Sequence, residues 1–133
     1  MPGGRALVNR AKAANWSPDR RDIIWIDCNQ QTGLEMRDVH PFLVLSPRLF
    51  NERTSLVIGL PMTTSDYNAD NPFAVAVGTT RKQGASKASF VLCHQPNSFD
   101  WRVRQARPHP LKRLGETQFA DVCAILNQIV QIA

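Results

Sequence analysis

The side chains able to do chemistry in this chain are few and scattered. Histidines stand at 40, 94 and 109, cysteines at 28, 93 and 123, and hydroxyls cluster at Thr63, Thr64 and Ser65. An imidazole, with a pKa of ~6.5, can give or take a proton near neutrality. His40 sits where a polar loop meets an apolar run, as a general acid or base or as a packed residue that hydrogen-bonds the loop. Thr63 and Ser65 follow an apolar run, where hydroxyls commonly end a strand. Glu35 lies in the polar loop, as a solvated acid or as a group that orients a basic side chain or touches a base edge. Gln95 is a strand-end polar residue or a substrate contact. Five cations and no acid lie between Arg102 and Arg113, which makes a solvated edge or a track for phosphates. The histidines and cysteines have no metal-ligand spacing, so neither metal nor other cofactor is called for. Three separated cysteines in apolar settings read as buried free thiols of a reducing compartment.

The elements that must position these groups are short. Ile23 to Cys28 is too brief for a stable helix, and its β-branched and aromatic content suits a strand buried on both faces. Phe42 to Leu45 is a second strand, bracketed by Pro41 and Pro47. Between them lies a polar loop, 29–39, with Thr32-Gly33 as its turn. Asn51 to Arg53 reads as loop, and Ser55 to Leu60 as a third strand whose Gly59 suggests a bulge or bend. Phe73 to Gly78 and Ser89 to Cys93 are further strands, joined by a basic, glycine-containing connection over Thr79 to Lys87. Phe99, Trp101 and Val103 alternate with Asp100, Arg102 and Arg104, as on a strand with one packed and one charged face. Glu116 to Ile132 is the one clear helix, with Phe119, Val122, Leu126, Ile129 and Val130 at helical spacing. A small antiparallel barrel with one carboxy-terminal helix is the expected architecture.

At 133 residues with a net charge of +5 and a pI of about 9.6, the chain suits one domain, residues 18–133. Residues 1–17 are expected to be a basic, partly disordered arm, adding phosphate contacts or none. No apolar run spans a bilayer and the amino terminus lacks the apolar segment of a secretory signal, so a soluble, cytoplasmic protein is expected.

Pro18-Asp19, Asp22, Ile24-Trp25-Ile26-Asp27, Gly33-x-Glu35, Pro41 and Leu45-Ser46-Pro47 follow one another at a spacing that resembles the opening of the MazF/PemK family of toxin endoribonucleases. Met62-Thr63-Thr64-Ser65 resembles the family's Thr-Ser or Thr-Thr-Gln segment after the third strand. His94-Gln95 with Ser98 and Trp101-Arg102 resembles its Asp-Gln-x-x-Ser followed by Trp-Arg-x-Arg. Arg21 stands where the family usually has glycine, His40 where it has arginine before proline, and His94 where it has the acid.

This resemblance implies a mainly β fold, a small SH3-like antiparallel barrel of the PemK/CcdB type with a carboxy-terminal helix. It implies metal-independent cleavage of single-stranded RNA, such as mRNA, by attack of the 2′-hydroxyl on the adjacent phosphorus. His40 and Thr63 take the catalytic positions, while Glu35, Arg37, Ser65, Gln95, Arg102 and Arg104 are the implied RNA contacts. Histidine lacks the permanent charge of guanidinium, so Arg37, Arg48 or Arg102 would supply it. The implied partners are a second copy of the chain and a cognate antitoxin with an acidic, disordered tail, with no membrane. The rival readings on the same fold are a binding protein that has weakened or lost cleavage, and a CcdB-like gyrase-binding toxin, although the characteristic carboxy-terminal Trp-Gly-Ile of CcdB is not found.

Overall fold

Two adjacent strands whose side chains are apolar on both faces set the architecture. In the computed structural model, which describes residues 15–29, 38–82 and 85–131, these are β1 (Asp22–Asp27) and β2 (Val39–Val44). They pair antiparallel, with Ile24 opposite Phe42 and Ile26 opposite His40. Successive side chains of a strand leave on opposite faces. Ile23 and Leu43 therefore enter one apolar cluster, while Ile24, Ile26, Phe42 and Val44 enter another behind it. A sheet buried on both faces is what the unbroken apolar runs require.

The remaining elements cover those two faces. After β2 come a short helix α1 (Arg48–Thr54), β3 (Leu56–Thr63) and one turn of 3₁₀ helix (Asp66–Asp70). The chain continues through β4 (Ala74–Lys82), β5 (Ala85–Leu92), β6 (Asn97–Asp100), β7 (Arg107–Arg113) and α2 (Glu116–Ile129). The sheet runs β4-β5-β3-β2-β1-β7, with β6 paired to β3 off that path. The barrel is thus a curled half-barrel, with β4 and β7 at the two ends of the path. Helix α2 places Val122, with Phe119, Ile125 and Leu126, against the cluster containing Leu43, Leu60 and Val91. Phe99 and Trp101 close the other, with Trp16 packed against it.

Several expectations are revised. The loop expected at 51–53 is part of α1, whose single buried residue is Asn51. Arg107 to Arg113 forms β7, irregularly paired to β1. The connection expected over Thr79 to Lys87 is the far half of a continuous hairpin, paired out to Lys82 and Ala85. Gly59 makes no bulge in its pairing with Val44 and Asn97. A Cβ there would lie 2.1 Å from the Leu43 carbonyl oxygen and 2.6 Å from the Phe42 ring, so glycine permits close packing against β2. Val103 is exposed rather than packed, because β6 stops at Asp100, whose carboxylate accepts the N–H groups of Arg102 and Val103 and turns the chain. Helix α2 ends at Ile129, and both Ile129 and Val130 are exposed. Trp16 and Ser17 of the expected arm are packed: Trp16 meets Trp101 edge to face at 5.9 Å, and Ser17 donates to Glu52 at 2.8 Å. Residues 1–14, and Thr32-Gly33, lie outside the described residues.

The Pro18–Asp22 turn joins the front strand to the rest. Arg21 there has φ of +79°, a conformation that favours glycine. Its backbone N–H donates to Val44 and its carbonyl accepts from Leu114, both at 2.8–2.9 Å. Its side chain donates to the Leu114 carbonyl at 3.0 Å and faces Glu116 at 3.6 Å. The side chain offsets backbone strain with contacts that a glycine would lack.

Two stability outcomes follow. Arg21→Gly and Arg21→Ala lose the same side-chain contacts, but only glycine relieves the positive φ, so the glycine variant is expected to be more stable by about 1 kcal/mol. Urea unfolding of the pair measures this, and an equal or higher midpoint for alanine contradicts it. Asn51 donates to the carbonyls of Pro18 and Ser46 and accepts from the Ser46 hydroxyl, all within 3.0 Å. Asn51→Ala strands buried carbonyls, at a cost of about 2–4 kcal/mol and a melting temperature lower by on the order of 10 °C. A change within a degree or two in thermal unfolding would remove Asn51 from its central place.

Candidate active-site cleft

The ends of five elements meet at one edge of the sheet. Because β1, β2 and β3 run antiparallel, the end of β1, the start of β2 and the end of β3 lie together. The pairing of Met62 with Val91 and Thr63 with Phe90 brings the end of β5 beside them, and Gly59 opposite Asn97 brings the start of β6. Their side chains enclose an open cleft of about 310 Å³, lined by Cys28, His40, Pro61, Met62, Thr63, Leu92, Gln95, Asn97 and Phe99. His40, Thr63 and Gln95, distant in sequence, share this cleft.

His40 is half exposed, and its Nε2 lies 2.5 Å from an Asp38 carboxylate oxygen. A carboxylate can only accept, so Nε2 carries the hydrogen and Nδ1 is left for a second proton. The two residues stand two apart, Asp38 just before β2 and His40 within it, a spacing that in extended chain puts both side chains on one face. That spacing is the signal in the sequence for Asp38, to which neither the motifs nor the resemblance assigns a role. The Thr63 hydroxyl oxygen accepts the Ser65 N–H at 3.2 Å, which leaves its hydrogen free to point at a ligand oxygen. Ser65 starts the 3₁₀ turn, its carbonyl accepting from Asn68, and does not line the cleft. Gln95 contacts His94 at 3.3 Å, and His94 leans on Phe73 outside the cleft.

The arginines separate. Arg102 lies over Trp101 at 4.3 Å and bonds the Ser55 hydroxyl, on the flank away from Thr63. Arg104, turned the other way, donates to the carbonyls of Asp27, at 2.9 Å, and Asn29, and its guanidinium lies 4.8 Å from the Phe99 ring. Phe99 lines the cleft, so Arg104 is a cation at its rim among the described residues. Arg48 is held at the opposite end of the sheet beside Asp19. Glu35 and Arg37 lie outside the described residues. Trp25 is half-buried, its ring 4.4 Å from that of His109. The buried His109 accepts the Leu111 N–H on Nδ1, and burial pushes its pKa down. It therefore acts as a neutral packing group. Among the described residues no three His, Cys, Asp or Glu side chains converge on a possible metal position. No described helix is long and apolar enough to cross a membrane.

Comparison with known proteins gives concordant results. Residues 19–130 match the family described as the PemK-like, MazF-like toxin of type II toxin–antitoxin systems. The endoribonuclease toxin MazF of Escherichia coli K12 is 31% identical over 93 residues, which cover 70% of this chain and 78% of that protein. The endoribonuclease PemK of Escherichia coli is 27% identical over 127 residues, 95% and 89% of the two chains. A MazE–MazF crystal structure from Deinococcus radiodurans superposes with a TM-score of 0.69 at 27% identity, covering 89% of this chain and all of that one.

The thiol in the cleft is inert by this geometry. Burial pushes Cys28 up to about 11, with Asp38 and Asp27 adding to the rise and Arg104 opposing it. Against an ordinary thiol near 9.0, the thiolate fraction at pH 8 falls about 100-fold. Iodoacetamide labelling of the Cys28 peptide in the folded protein is expected to be slower than that of free cysteine by that factor. A comparable rate would show an open, activated thiol instead.

Proposed function

The chain belongs to the PemK-like, MazF-like toxin family of type II toxin–antitoxin systems, and from that premise we propose that it is an endoribonuclease whose working site is the His40–Thr63 cleft. The convergence of His40, Thr63 and Gln95 on one cleft carries this reading. The substrate is single-stranded RNA, mRNA among it, because a 2′-hydroxyl supplies the nucleophile and the protein contributes only proton transfer and charge. His40, oriented by Asp38, takes the 2′ proton or returns one to the departing 5′ oxygen. Thr63 donates to a phosphate oxygen, and Arg104 at the rim offsets the charge that grows on the phosphorane. Gln95 and Asn97 contact base or sugar edges. Glu35, Arg37 and Ser65 are assigned to longer contacts with the strand, and Arg102 to the outer flank.

The protein is further proposed to act in the cytoplasm as a homodimer. Leu56 and Ile58, exposed on the outer face of β3, support an interface between copies. A net charge of +5 supports a cognate antitoxin with an acidic, extended tail, as does the likeness to a MazE–MazF complex. The second reading, a relative that binds RNA with weakened cleavage, is favoured by one observation: His40 brings no permanent charge where the family has arginine.

Incubation with a long unstructured RNA in EDTA is expected to give fragments ending in 5′-hydroxyl and 2′,3′-cyclic phosphate. His40→Ala is expected to lower the single-turnover rate by about 10²-fold or more with the fold intact. His40→Arg is also expected to lower it, since guanidinium exchanges no proton near pH 7. A rise with arginine would establish the weakened-relative reading, and equal rates for all three proteins would remove His40 from the chemistry.

A further inference from the structure

The β4–β5 hairpin is longer than the half-barrel needs. β5 pairs with β3 only at Val91 and Phe90, whereas it pairs with β4 from Leu92 down to Ala85. From Thr79 and Ala88 outward, the two strands have only each other as sheet partners among the described residues. The register shifts between Ala76 and Gly78, and Gly78 has φ of +151°. A bulge with glycine beside it bends a ribbon and re-aims what lies beyond. Two features of this extension stand together. Its composition is one-signed: Arg81, Lys82 and Lys87 are the only charged residues from Asn71 to Phe99. Its backbone is continuous with the cleft, because Phe90 is the partner of Thr63 and Leu92 lines the cleft wall. At about 3.3 Å per residue, Lys87 stands about 10 Å from that partner position along β5. Lys82, opposite Ala85, stands about 16 Å from it.

We propose that the outer part of this ribbon, 79–82 with 85–88, is a second nucleic-acid contact, holding phosphates of the strand that flanks the cleft. The inference rests on the reading of the cleft as an RNA site and adds to it an element that lengthens the bound strand. Cations on free strand edges also discourage edge-to-edge association, which would place them anywhere along an exposed hairpin. Here they lie on the strand pair that leads into the cleft, with no acid along its length. An extended polyanion leaving the cleft along β5 meets Lys87 and then position 82, which lie on one face of the ribbon by their register, with position 81 on the other. Edges without a strand partner among the described residues also offer backbone N–H groups to phosphate or sugar oxygens.

The test uses uncleavable single-stranded DNA, which lacks the 2′-hydroxyl, in lengths of about 4 and about 16 nucleotides. Affinities of the unaltered protein and of Arg81→Gln/Lys82→Gln/Lys87→Gln are measured by anisotropy across a salt series. Loss of the two phosphate contacts on one face is expected to reduce the slope of log K against log salt by about 1.4 for the longer strand. The affinity for that strand should fall tenfold or more at low salt, while the slope for the shorter strand stays the same. Unchanged slopes on the longer strand overturn the proposal. Equal losses on both lengths overturn it too, by placing the cations at the cleft or in a global field. If the variant keeps its strand affinity but loses an acidic peptide, the ribbon is a protein-binding surface and the proposal fails. Absence of RNA cleavage by the unaltered protein, with the slope difference intact, sinks the nuclease reading and leaves the ribbon contact standing.

Discussion

A single buried carboxamide holds the back of this molecule together. Asn51 has no exposed surface, yet its side chain ties three segments: the incoming chain at Pro18, the end of β2 at Ser46, and its own helix. Its backbone carbonyl accepts the indole N–H of Trp101 at 2.8 Å, which adds the end of β6. Ser46 extends the network, its hydroxyl oxygen accepting the Ile58 N–H at 2.9 Å. Every polar group in this knot is paired, as burial demands. Because β2 and β3 leave the knot together, their far ends reach the opposite edge in a set relation. That edge is where His40 and Thr63 meet.

The charges follow the same division. Asp19 and Asp22 belong to the turn beside the knot. Burial raises Asp19's pKa, but the N–H groups of Arg48 and Arg20 and the guanidinium groups of Arg48 and Arg113 outweigh it, so the net shift is downward. Burial wins at Asp22, whose pKa is raised despite the Asp19 N–H and Arg113. Arg20 and Arg113 are further held by carbonyls, of Leu45 and of Arg20. These basic residues are spent on structure. At the cleft edge the balance differs: Asp38 faces an imidazole, and Arg104 donates to the carbonyls of Asp27 and Asn29.

Composition and periodicity were sufficient for much of the fold. Ile23 to Ile26 and Phe42 to Val44 can satisfy two apolar faces only as strands within a covered sheet, and Phe119, Val122 and Leu126 only as one stripe of a helix. The family resemblance also implied His40 and Thr63 as catalytic positions and Gln95 as one of the RNA contacts, and these three share the cleft. What it could not show was the fate of residues whose conformation depends on distant groups. Helix α1 has seven residues, one buried side chain and no side-chain cap at its amino end. Its first N–H is accepted by the carboxylate of Asp19, far back in the chain, so no local pattern announces it.

The same reason separates the remaining cases. Phe99 to Arg104 alternates like a strand, but the Asp100 carboxylate turns the chain, so Arg102 and Arg104 go to opposite flanks. Arg21 reads as an odd residue in a glycine position until Leu114 and Glu116 arrive to hold it. The sequence by itself determined which residues must be buried and in which period, because burial of apolar surface is a property of side-chain type and spacing. The tertiary structure decided which polar groups meet, because a hydrogen bond between segments far apart in the chain exists only after the apolar faces have closed.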